Sequence, residues 1–434
     1  MNKHFFSLLV FIILSNCSLD TKTGIWKDPL PKKKNNALEN VFKKTKIISK
    51  ELNSNIKIKL KDTFSKNSFF NNQSNNIGYI NYDGSLDKLA HFKFSKIDNY
   101  DFIEKEIHFT SDNSIIFSEN KGGIIKLNKT ELKRLWKKNH YSKNEKKMDP
   151  NLFFSSFGES LVVADSISNY YLVNLKNGDL IWKKNNSSPF NSQIKIFKDR
   201  FFVVDLENVL RCYSIKNGNE IWNFKSESSY INSQNKLSLI IHENKIIFIN
   251  SLGDITALNL NNGRLLWQTP TQTNSIIEDA FSLKNSELVL NNKNIYFSNN
   301  KNQLFSINSK NGIINWKQFI NSGLRPTIIG NLIFAISEEG FLIILDSSNG
   351  NIIRITELIF DNKNFTNLKL KPKSFFVGKN NIYLNVNDGR ILKIKISDGK
   401  ASEKVKIDSN KISQSYVFNK NIYLLKENAL LKLN

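Results

Sequence analysis

A short pattern of apolar and polar positions returns along most of this chain. Its clearest copy runs from Gly253 to Trp267 and consists of two apolar runs separated by Asn262 and Gly263. Asn-Gly between two apolar runs is the strongest short-range signal for a β-hairpin, because both residues tolerate a positive φ angle. Each copy therefore predicts a hairpin of two short strands.

The hairpin recurs in one register when the chain is aligned on its tryptophans. A residue that favours turns stands fourteen positions before each tryptophan; these residues are Gly122, Ser168, Asn208, Gly253 and Asn302, and the tryptophans are Trp136, Trp182, Trp222, Trp267 and Trp316. Glycine stands four positions before the last four tryptophans, whereas the first copy has Leu132 there. Two further copies keep both turns but end at Arg354 and Glu403 instead of tryptophan. Seven copies are therefore recognisable.

Another apolar run precedes each hairpin, as in residues 245–249, 294–298, 331–335 and 381–385. Each unit of about 38 to 49 residues thus holds roughly four short strands and no helical period. Repeats of this kind predict an all-β fold, a β-propeller whose blades are four-stranded antiparallel sheets.

An eighth copy, residues 421–434, follows the motif through its third strand and then ends. A blade without its last strand would leave an unpaired sheet edge, which closed folds avoid. Residues 87–95 form an alternating strand ahead of the first complete blade. We therefore predict eight blades, the last of which is closed by this N-terminal strand.

The tryptophans are predicted to be structural. A tryptophan that ends an outer strand can lie across the gap between neighbouring blades, where one such side chain buries roughly 150–250 Å². We assign this blade-docking role to Trp136, Trp182, Trp222, Trp267 and Trp316. Arg354 and Glu403 at the equivalent positions predict weaker packing at two blade junctions.

The first residues have the pattern of a secretory signal. Lys3 precedes an apolar stretch from Phe5 to Leu14, which at about ten residues is too short to cross a bilayer as a helix. Cys17 follows at the position of the lipidated cysteine of bacterial lipoproteins, although Asn16 before it is larger than the usual residue. The chain is thus predicted to divide into a signal peptide (1–16), a lipidated flexible tether (17–68) and an eight-bladed propeller (69–434).

Charge and cysteine content change this interpretation little. The formal net charge of +23 would suit nucleic acid, but the lysines are spread along the whole chain and a secreted protein rarely meets nucleic acid. We therefore expect no nucleic-acid partner. A basic surface still favours anionic lipid headgroups or acidic protein surfaces. Cys212 is the second of the chain's two cysteines, so a lipidated Cys17 leaves no intramolecular disulfide.

The residues needed for catalysis do not converge in the sequence. His91, His108, His140 and His242 have no metal-ligand spacing, and residues 121–123 fit a hairpin turn better than a phosphate loop. We therefore predict no enzyme activity, no catalytic residues, no metal and no cofactor.

The repeat, with Asn-Gly four residues before a tryptophan and a Gly or Asn opening the hairpin, resembles the PQQ-type β-propeller repeat. With a lipoprotein signal, eight blades and N-terminal closure, residues 87–434 resemble the BamB family, the propeller lipoproteins of the outer-membrane β-barrel assembly machinery. This resemblance implies a lipid-anchored scaffold on the periplasmic face of the outer membrane. It also implies binding to the periplasmic POTRA domains of a BamA-like barrel protein, with other assembly lipoproteins as further partners.

The resemblance places the partner contact on two inter-blade loops. On the loop after Trp222 the matching positions are Ile231, Ser233 and Gln234, beside Tyr230; the next loop supplies Asp279 and Asn285. Ile231 alone keeps the residue type of the family. Tyr230 and Ile231 would suit an interface anchor if exposed, and the alternative is that both tuck beneath the loop.

The repeat also leaves two other functions open. Quinoprotein dehydrogenases have it, but they carry a vicinal disulfide and a carboxylate-bound calcium ion, whereas Cys212 is solitary. A periplasmic propeller that binds another ligand, such as a peptide or glycan, is the remaining alternative.

Overall fold

The computed structural model describes residues 18–19, 26–27, 48–65, 74–98, 100, 105–226, 235–271, 283–358 and 370–434. The chain divides into two compact units, Met1–Lys46 and Ile47–Asn434. In the first unit, the short strands Ser18–Leu19 and Trp26–Lys27 pair antiparallel. Cys17 and the rest of the predicted signal lie outside the described residues. No helix in the described part of the chain is long and apolar enough to span a bilayer.

Eight four-stranded antiparallel sheets, which we call blades 1 to 8, form a ring in the second unit. The strands of blades 1 to 4, in chain order, are His108–Phe109, Ser114–Ser118, Ile124–Asn128 and Arg134–Lys138; Leu152–Phe157, Ser160–Asp165, Asn169–Asn174 and Leu180–Asn185; Lys195–Phe197, Arg200–Val204, Val209–Ser214 and Glu220–Lys225; and Leu239–His242, Lys245–Ile249, Ile255–Asn259 and Leu265–Thr269. The strands of blades 5 to 7 are Val289–Asn291, Asn294–Asn299, Gln303–Asn308 and Ile314–Gln318; Thr327–Ile329, Leu332–Ile336, Phe341–Asp346 and Ile352–Glu357; and Pro372–Val377, Asn381–Val386, Arg390–Lys395 and Ala401–Lys406. Blade 8 is Tyr416–Phe418, Asn421–Lys426 and Ala429–Leu433, completed by Lys88–Lys93. First strands of neighbouring blades contact one another, whereas fourth strands form the exposed rim.

The closing strand confirms the predicted eight-bladed architecture. Lys88–Lys93 pairs antiparallel with the last strand of the chain, with Phe92 opposite Leu430 and Lys93 opposite Ala429. The two ends of the propeller therefore share one sheet, and the free edge predicted for blade 8 is covered.

The two hairpin turns of each blade have the backbone that their residues favour. In blades 1 to 7 the turn between the second and third strands contains a residue with φ between 60° and 93°; these residues are Gly122, Ser168, Asn208, Gly253, Asn302, Gly340 and Gly389. In blades 2 to 7 the next turn contains a glycine with φ between 67° and 78°. Leu132 takes this place in blade 1 with φ 55°, so the turn survives the loss of glycine.

The hydrophobic core is divided among the blade junctions. Phe202 and Cys212 of blade 3, for example, pack against Ile246 and Phe248 of blade 4, and all four are buried. Strands that are buried on both faces explain why the second and third strands read as nearly continuous apolar runs. Each blade therefore depends on its neighbours for stability.

Residues 48–65 lie against the ring, although the sequence assigned them to the flexible tether. Leu52 pairs with Ile355 on the fourth strand of blade 6, and the buried Ile58 donates its N–H to the Ser397 carbonyl of blade 7 over 2.9 Å. These residues are held because their backbone groups find partners on blades 6 and 7. The remaining boundaries of the predicted division stay predictions.

The next described residues cross the first strands of blades 4 to 7. Asn75 donates its side-chain N–H to Ile241 over 2.9 Å and accepts the Leu290 N–H over 2.8 Å. Tyr79 then pairs parallel with Val377 of blade 7. The chain thus reaches the closing strand by running along the inner side of the ring.

The connection between blades 1 and 2 contains a short α-helix, Lys143–Lys147, and a 3-10 turn, Asn120–Gly122, precedes the third strand of blade 1. Ser142 and Glu145 form a capping box at the start of the helix.

Candidate partner-binding face

The two loops predicted to contact a partner leave the same face of the ring. One follows the fourth strand of blade 3 and the other follows that of blade 4, and corresponding strands of the repeat end on the same side. Tyr230, Ile231, Ser233, Gln234 and Asp279 lie outside the described residues.

The described ends of these loops are tied to each other. Asn235, where the first loop returns, donates a side-chain N–H to the carbonyl of Leu283, where the second loop returns, over 3.2 Å. Asn191 of the preceding connection donates to the Asn235 carbonyl over 3.0 Å. The two loops therefore return to the ring at adjacent positions that are joined by a hydrogen bond.

Asn285 is the one predicted contact residue in a described region. It is half-buried and forms an isolated antiparallel bridge with Asn299 of blade 5. Its side-chain oxygen is buried and has no hydrogen-bond partner among the described residues. Asn285 thus lies at the base of the second loop.

Charged side chains lie below the two loops, at the inner ends of several blades. Arg325 pairs with Glu287 over 2.9 Å, and Lys236 pairs with Glu106. Burial, together with the Arg325 guanidinium, lowers the pKa of Lys195 to about 7. Burial also lowers the pKa of His108 to about 4, and Nε2 of this ring lies 2.9 Å from the Ser156 hydroxyl. This band carries more positive than negative groups.

The five tryptophans lie at the blade junctions. A Cβ atom added to the turn glycine of the following blade would lie 2.5–2.9 Å from the indole ring in every case; the pairs are Trp136 with Gly178, Trp182 with Gly218, Trp222 with Gly263, Trp267 with Gly312 and Trp316 with Gly350. These glycines serve two purposes, because they adopt positive φ and leave room for the ring. The indole N–H groups of Trp136, Trp182 and Trp316 donate to the carbonyl three residues before the facing glycine, over 3.0–3.2 Å.

The prediction of weaker packing at the blade junction of Arg354 is wrong. Its side chain is fully buried, and it donates to the Ile396 carbonyl over 3.0 Å, three residues before Gly399. It thus replaces the tryptophan and makes the same hydrogen bond. Its other donor group also reaches Ser397 and Ile56, over 2.7 and 2.9 Å, so the guanidinium joins blades 6 and 7 to the N-terminal segment. Glu403, by contrast, is exposed.

A second set of repeated polar residues was missed in the sequence. A buried Asp, Asn or Ser stands three residues before the hairpin-opening residue in five blades; these are Asp165, Asp205, Asn250, Asn299 and Ser337. Asp165 Oδ1 accepts the N–H groups of Ile167 and Asn169 over 2.9 and 2.7 Å. Their fixed spacing from the turn residue was the signal that could have identified them. They hold the hairpins on the face from which the two predicted loops leave.

The structure does not bring the histidines together. His91 is exposed on the closing strand, while His108 is buried in blade 1. Within the described ranges, no group of three His, Cys, Asp or Glu side chains could hold a metal ion. Cys212 is buried, and burial raises the pKa of its thiol to about 12, far above the range of a reactive cysteine.

Comparison with known proteins identifies relatives that match part of the chain. The chain is 27% identical over 161 residues to the outer membrane protein assembly factor BamB of Legionella pneumophila, a match that covers 36% of this chain and 37% of that protein. It is 22% identical over 296 residues to the BamB of Moranella endobia, covering 65% of this chain and 76% of that protein.

Solved structures share the fold. The crystal structure of BamB from Moraxella catarrhalis superposes with a TM-score of 0.62 at 13% identity, covering 80% of this chain and 99% of that one. A quinohemoprotein alcohol dehydrogenase from Comamonas testosteroni also reaches 0.62, at 10% identity, covering 82% of this chain and 78% of that one. At these identities the superpositions establish the fold alone.

The sequence profile of one family decides between these relatives. The profile described as "Outer membrane protein assembly factor BamB" matches residues 120–356, more than half of the chain, from the first blade to the sixth. The chain belongs to the BamB family of outer membrane protein assembly factors.

Proposed function

We propose that this protein is a non-enzymatic scaffold that assists the insertion of outer membrane proteins by binding the periplasmic POTRA domains of a BamA-like barrel subunit. Lipid on Cys17 would hold it at the periplasmic face of the outer membrane. The family match over residues 120–356 is the observation that carries the proposal.

The geometry of the two loops supports a scaffold role. Because Asn235 and Leu283 are hydrogen-bonded at the returning ends of the loops, residues on both loops can contact one partner domain at the same time. A rigid base also lowers the entropy lost on binding, since the loop ends are already ordered. We assign the contact to Tyr230, Ile231, Ser233 and Gln234 on the first loop and to Asp279 on the second, with Asn285 at the base of the second loop.

Charge favours a partner with an acidic surface. The chain has a formal net charge of +23. Positive surfaces speed the encounter with acidic ones and make the association sensitive to salt.

A quinone-dependent dehydrogenase is less well supported. It shares the fold at 10% identity, while the described residues provide no three-residue set of His, Cys, Asp or Glu for a metal ion. Quinone absorbance in the purified protein would favour that function, or that of another ligand-binding propeller, over the scaffold.

Affinity capture from detergent-solubilised membranes tests the scaffold role. The wild-type chain should recover a large outer-membrane barrel protein with periplasmic repeat domains, and the Tyr230→Ala/Ile231→Asp double variant should lose it. Met148→Asp is a matched control, because Met148 is 65% exposed on the connection between blades 1 and 2.

The outcomes of this capture experiment distinguish the scaffold role from the assignment of the contact residues. Equal recovery by the wild type and the double variant would keep the scaffold and remove these two residues from the contact. Failure of the wild type to recover a barrel protein would refute the scaffold itself.

A further inference from the structure

The outer edge of blade 6 is already paired with an extended segment of the same chain. Leu52 and Ile355 exchange both backbone hydrogen bonds, over 3.1 and 2.9 Å. Asn53 donates its side-chain N–H to the Ile353 carbonyl over 3.1 Å, and Glu51 accepts the Glu357 N–H over 3.1 Å. Leu52 thus forms an isolated antiparallel bridge on the outer edge of blade 6, and the side chains of Glu51 and Asn53 add a hydrogen bond on either side of it.

An aliphatic pair lies beneath this segment. Ile352 and Ile353 begin the fourth strand of blade 6, and both are half-buried. Ile48 and Ile352 pack against the same core cluster. Covering the pair removes apolar surface from water, which supplements the backbone hydrogen bonds.

Blades 2 and 4 carry an aliphatic pair at the equivalent positions, and in these blades the pair is exposed. Leu180 and Ile181 are 43% and 52% exposed, and Leu265 and Leu266 are 49% and 46% exposed, at the positions of Ile352 and Ile353. The fourth strands of both blades end their sheets among the described residues.

The backbone register matches as well. Ile355 stands opposite Ile343 on the third strand and directs its own N–H and C=O outward to Leu52. Lys183 stands opposite Tyr171, and Gln268 opposite Thr256, at the same position of the repeat. Because backbone groups alternate in direction along an antiparallel strand, Lys183 and Gln268 also present an outward N–H and C=O.

We propose that the outer edges of blades 2 and 4 bind extended polypeptide segments with aliphatic side chains, in the way that blade 6 binds residues 51–53. Addition of a strand at a sheet edge provides affinity through the main chain and selectivity through the aliphatic pair. The identity of the segment rests on the proposed function, under which it is an unpaired strand of an outer membrane protein awaiting insertion.

The outer edges of blades 1 to 7 share a bulge but differ in the residues beside it. A β-bulge lies just before the tryptophan position in every fourth strand of blades 1 to 7, which twists the edge and limits pairing to the residues after it. The other blades lack an aliphatic pair at these two positions; they have Arg134 and Leu135 in blade 1, Glu220 and Ile221 in blade 3, Ile314 and Asn315 in blade 5, and Ala401 and Ser402 in blade 7. Blade 5 has two exposed aliphatic residues, Ile313 and Ile314, but they lie one residue earlier in the repeat. The paired aliphatic side chains therefore restrict the site to blades 2 and 4.

Fluorescence anisotropy with a labelled ten-residue peptide, with valine at alternate positions and lysine or threonine between them, tests the inference on the purified full chain. The Ile181→Lys/Leu266→Lys double variant should bind about tenfold more weakly, which corresponds to about 1.4 kcal/mol. Ile221→Lys is the matched control, because Ile221 is 43% exposed at the same position of blade 3. A peptide with proline at its centre should bind poorly to the wild type, because proline removes an N–H group.

Absence of peptide binding by the wild type, or an equal loss in the double variant and the control, would overturn the inference. Sedimentation of the wild type as a dimer that the double variant abolishes would also overturn it, because the edges would then bind a second copy. Recovery of the barrel protein by the double variant would show that the proposed function stands even if the edge sites fail.

Discussion

Replacing Gly263 by alanine measures how much the contact between Trp222 and the next blade contributes to stability. Gly263 has φ +69°, and an added Cβ would lie 2.6 Å from Cε3 of Trp222. The positive φ alone costs alanine about 1 kcal/mol. Overpacking a close contact adds typically 1–3 kcal/mol, so we expect a total loss of about 2–4 kcal/mol in the free energy of unfolding.

Gly158→Ala is the matched control for this substitution. Gly158 also has a positive φ, +56°, but no atom lies within 4 Å of the added Cβ. We expect this variant to lose about 1 kcal/mol, the backbone cost alone. Equilibrium unfolding in urea, followed by far-ultraviolet circular dichroism, compares the two.

A double-mutant cycle identifies the indole ring as the cause. Adding Trp222→Phe to Gly263→Ala should recover part of the loss, because the smaller ring makes room for the methyl group. Equal losses for Gly263→Ala and Gly158→Ala, with no coupling to position 222, would refute the assignment of the tryptophans to blade docking.

Three further predictions follow from buried or strained positions. The His108 pKa of about 4 lies below the ordinary value of 6.5, so the unfolded chain binds the proton first and the free energy of unfolding falls as the pH drops. In urea titrations between pH 7 and 4, the wild type should lose about 3 kcal/mol more than His108→Gln. Parallel stability curves for the two proteins would contradict this. Ser168→Gly should raise the free energy of unfolding by about 1 kcal/mol, because Ser168 has φ 75°, and a lower urea midpoint would contradict the strain argument. Arg354→Met should cost about 2–4 kcal/mol, because it removes three hydrogen bonds and leaves the carbonyls of Ile56 and Ile396 without this donor, while the Ser397 carbonyl keeps the Ile58 N–H. An unchanged thermal unfolding midpoint would show that the guanidinium is dispensable.

The blades could be predicted from the sequence because their signals are local. Turn residues such as Asn208 and Gly218 determine a hairpin within a dozen positions, and repetition of the hairpin predicts the ring. Closure by residues 87–95 was predictable for a related reason, since an eighth copy that lacks one strand requires a donor.

The N-terminal segment could not be predicted in this way. Leu52 pairs with Ile355 some 300 residues away, and residues 48–65 carry no copy of the repeat. Ile and Leu alternate with Lys over residues 56–61, which indicates an extended segment but does not indicate its partner. The compensating role of Arg354 was hidden for the same reason. One of its hydrogen-bond acceptors, the Ile56 carbonyl, lies in that segment. The sequence therefore indicated only that a tryptophan was missing at this position.

The sequence could predict which face of the ring carries the candidate site, but it could not predict which residues make the contacts. The repeat determines which loops leave that side of the ring, and Asn285 shows that a position matched by resemblance can lie at a loop base. The tied ends of the loops, Asn235 and Leu283, depend on a side-chain contact between different blades, for which the repeat carries no signal.

Closure of blade 8 by both chain ends has a kinetic consequence. The strand Lys88–Lys93 is synthesised early, but its partner Ala429–Leu433 comes last. Joining two segments roughly 340 residues apart carries a loop-closure cost of about 5 kcal/mol, and blades that have already stacked in between reduce it by bringing the ends together. Folding should therefore proceed by successive blade stacking and finish with a slow closure step, and a chain that ends before residue 429 should persist as an open, protease-sensitive arc.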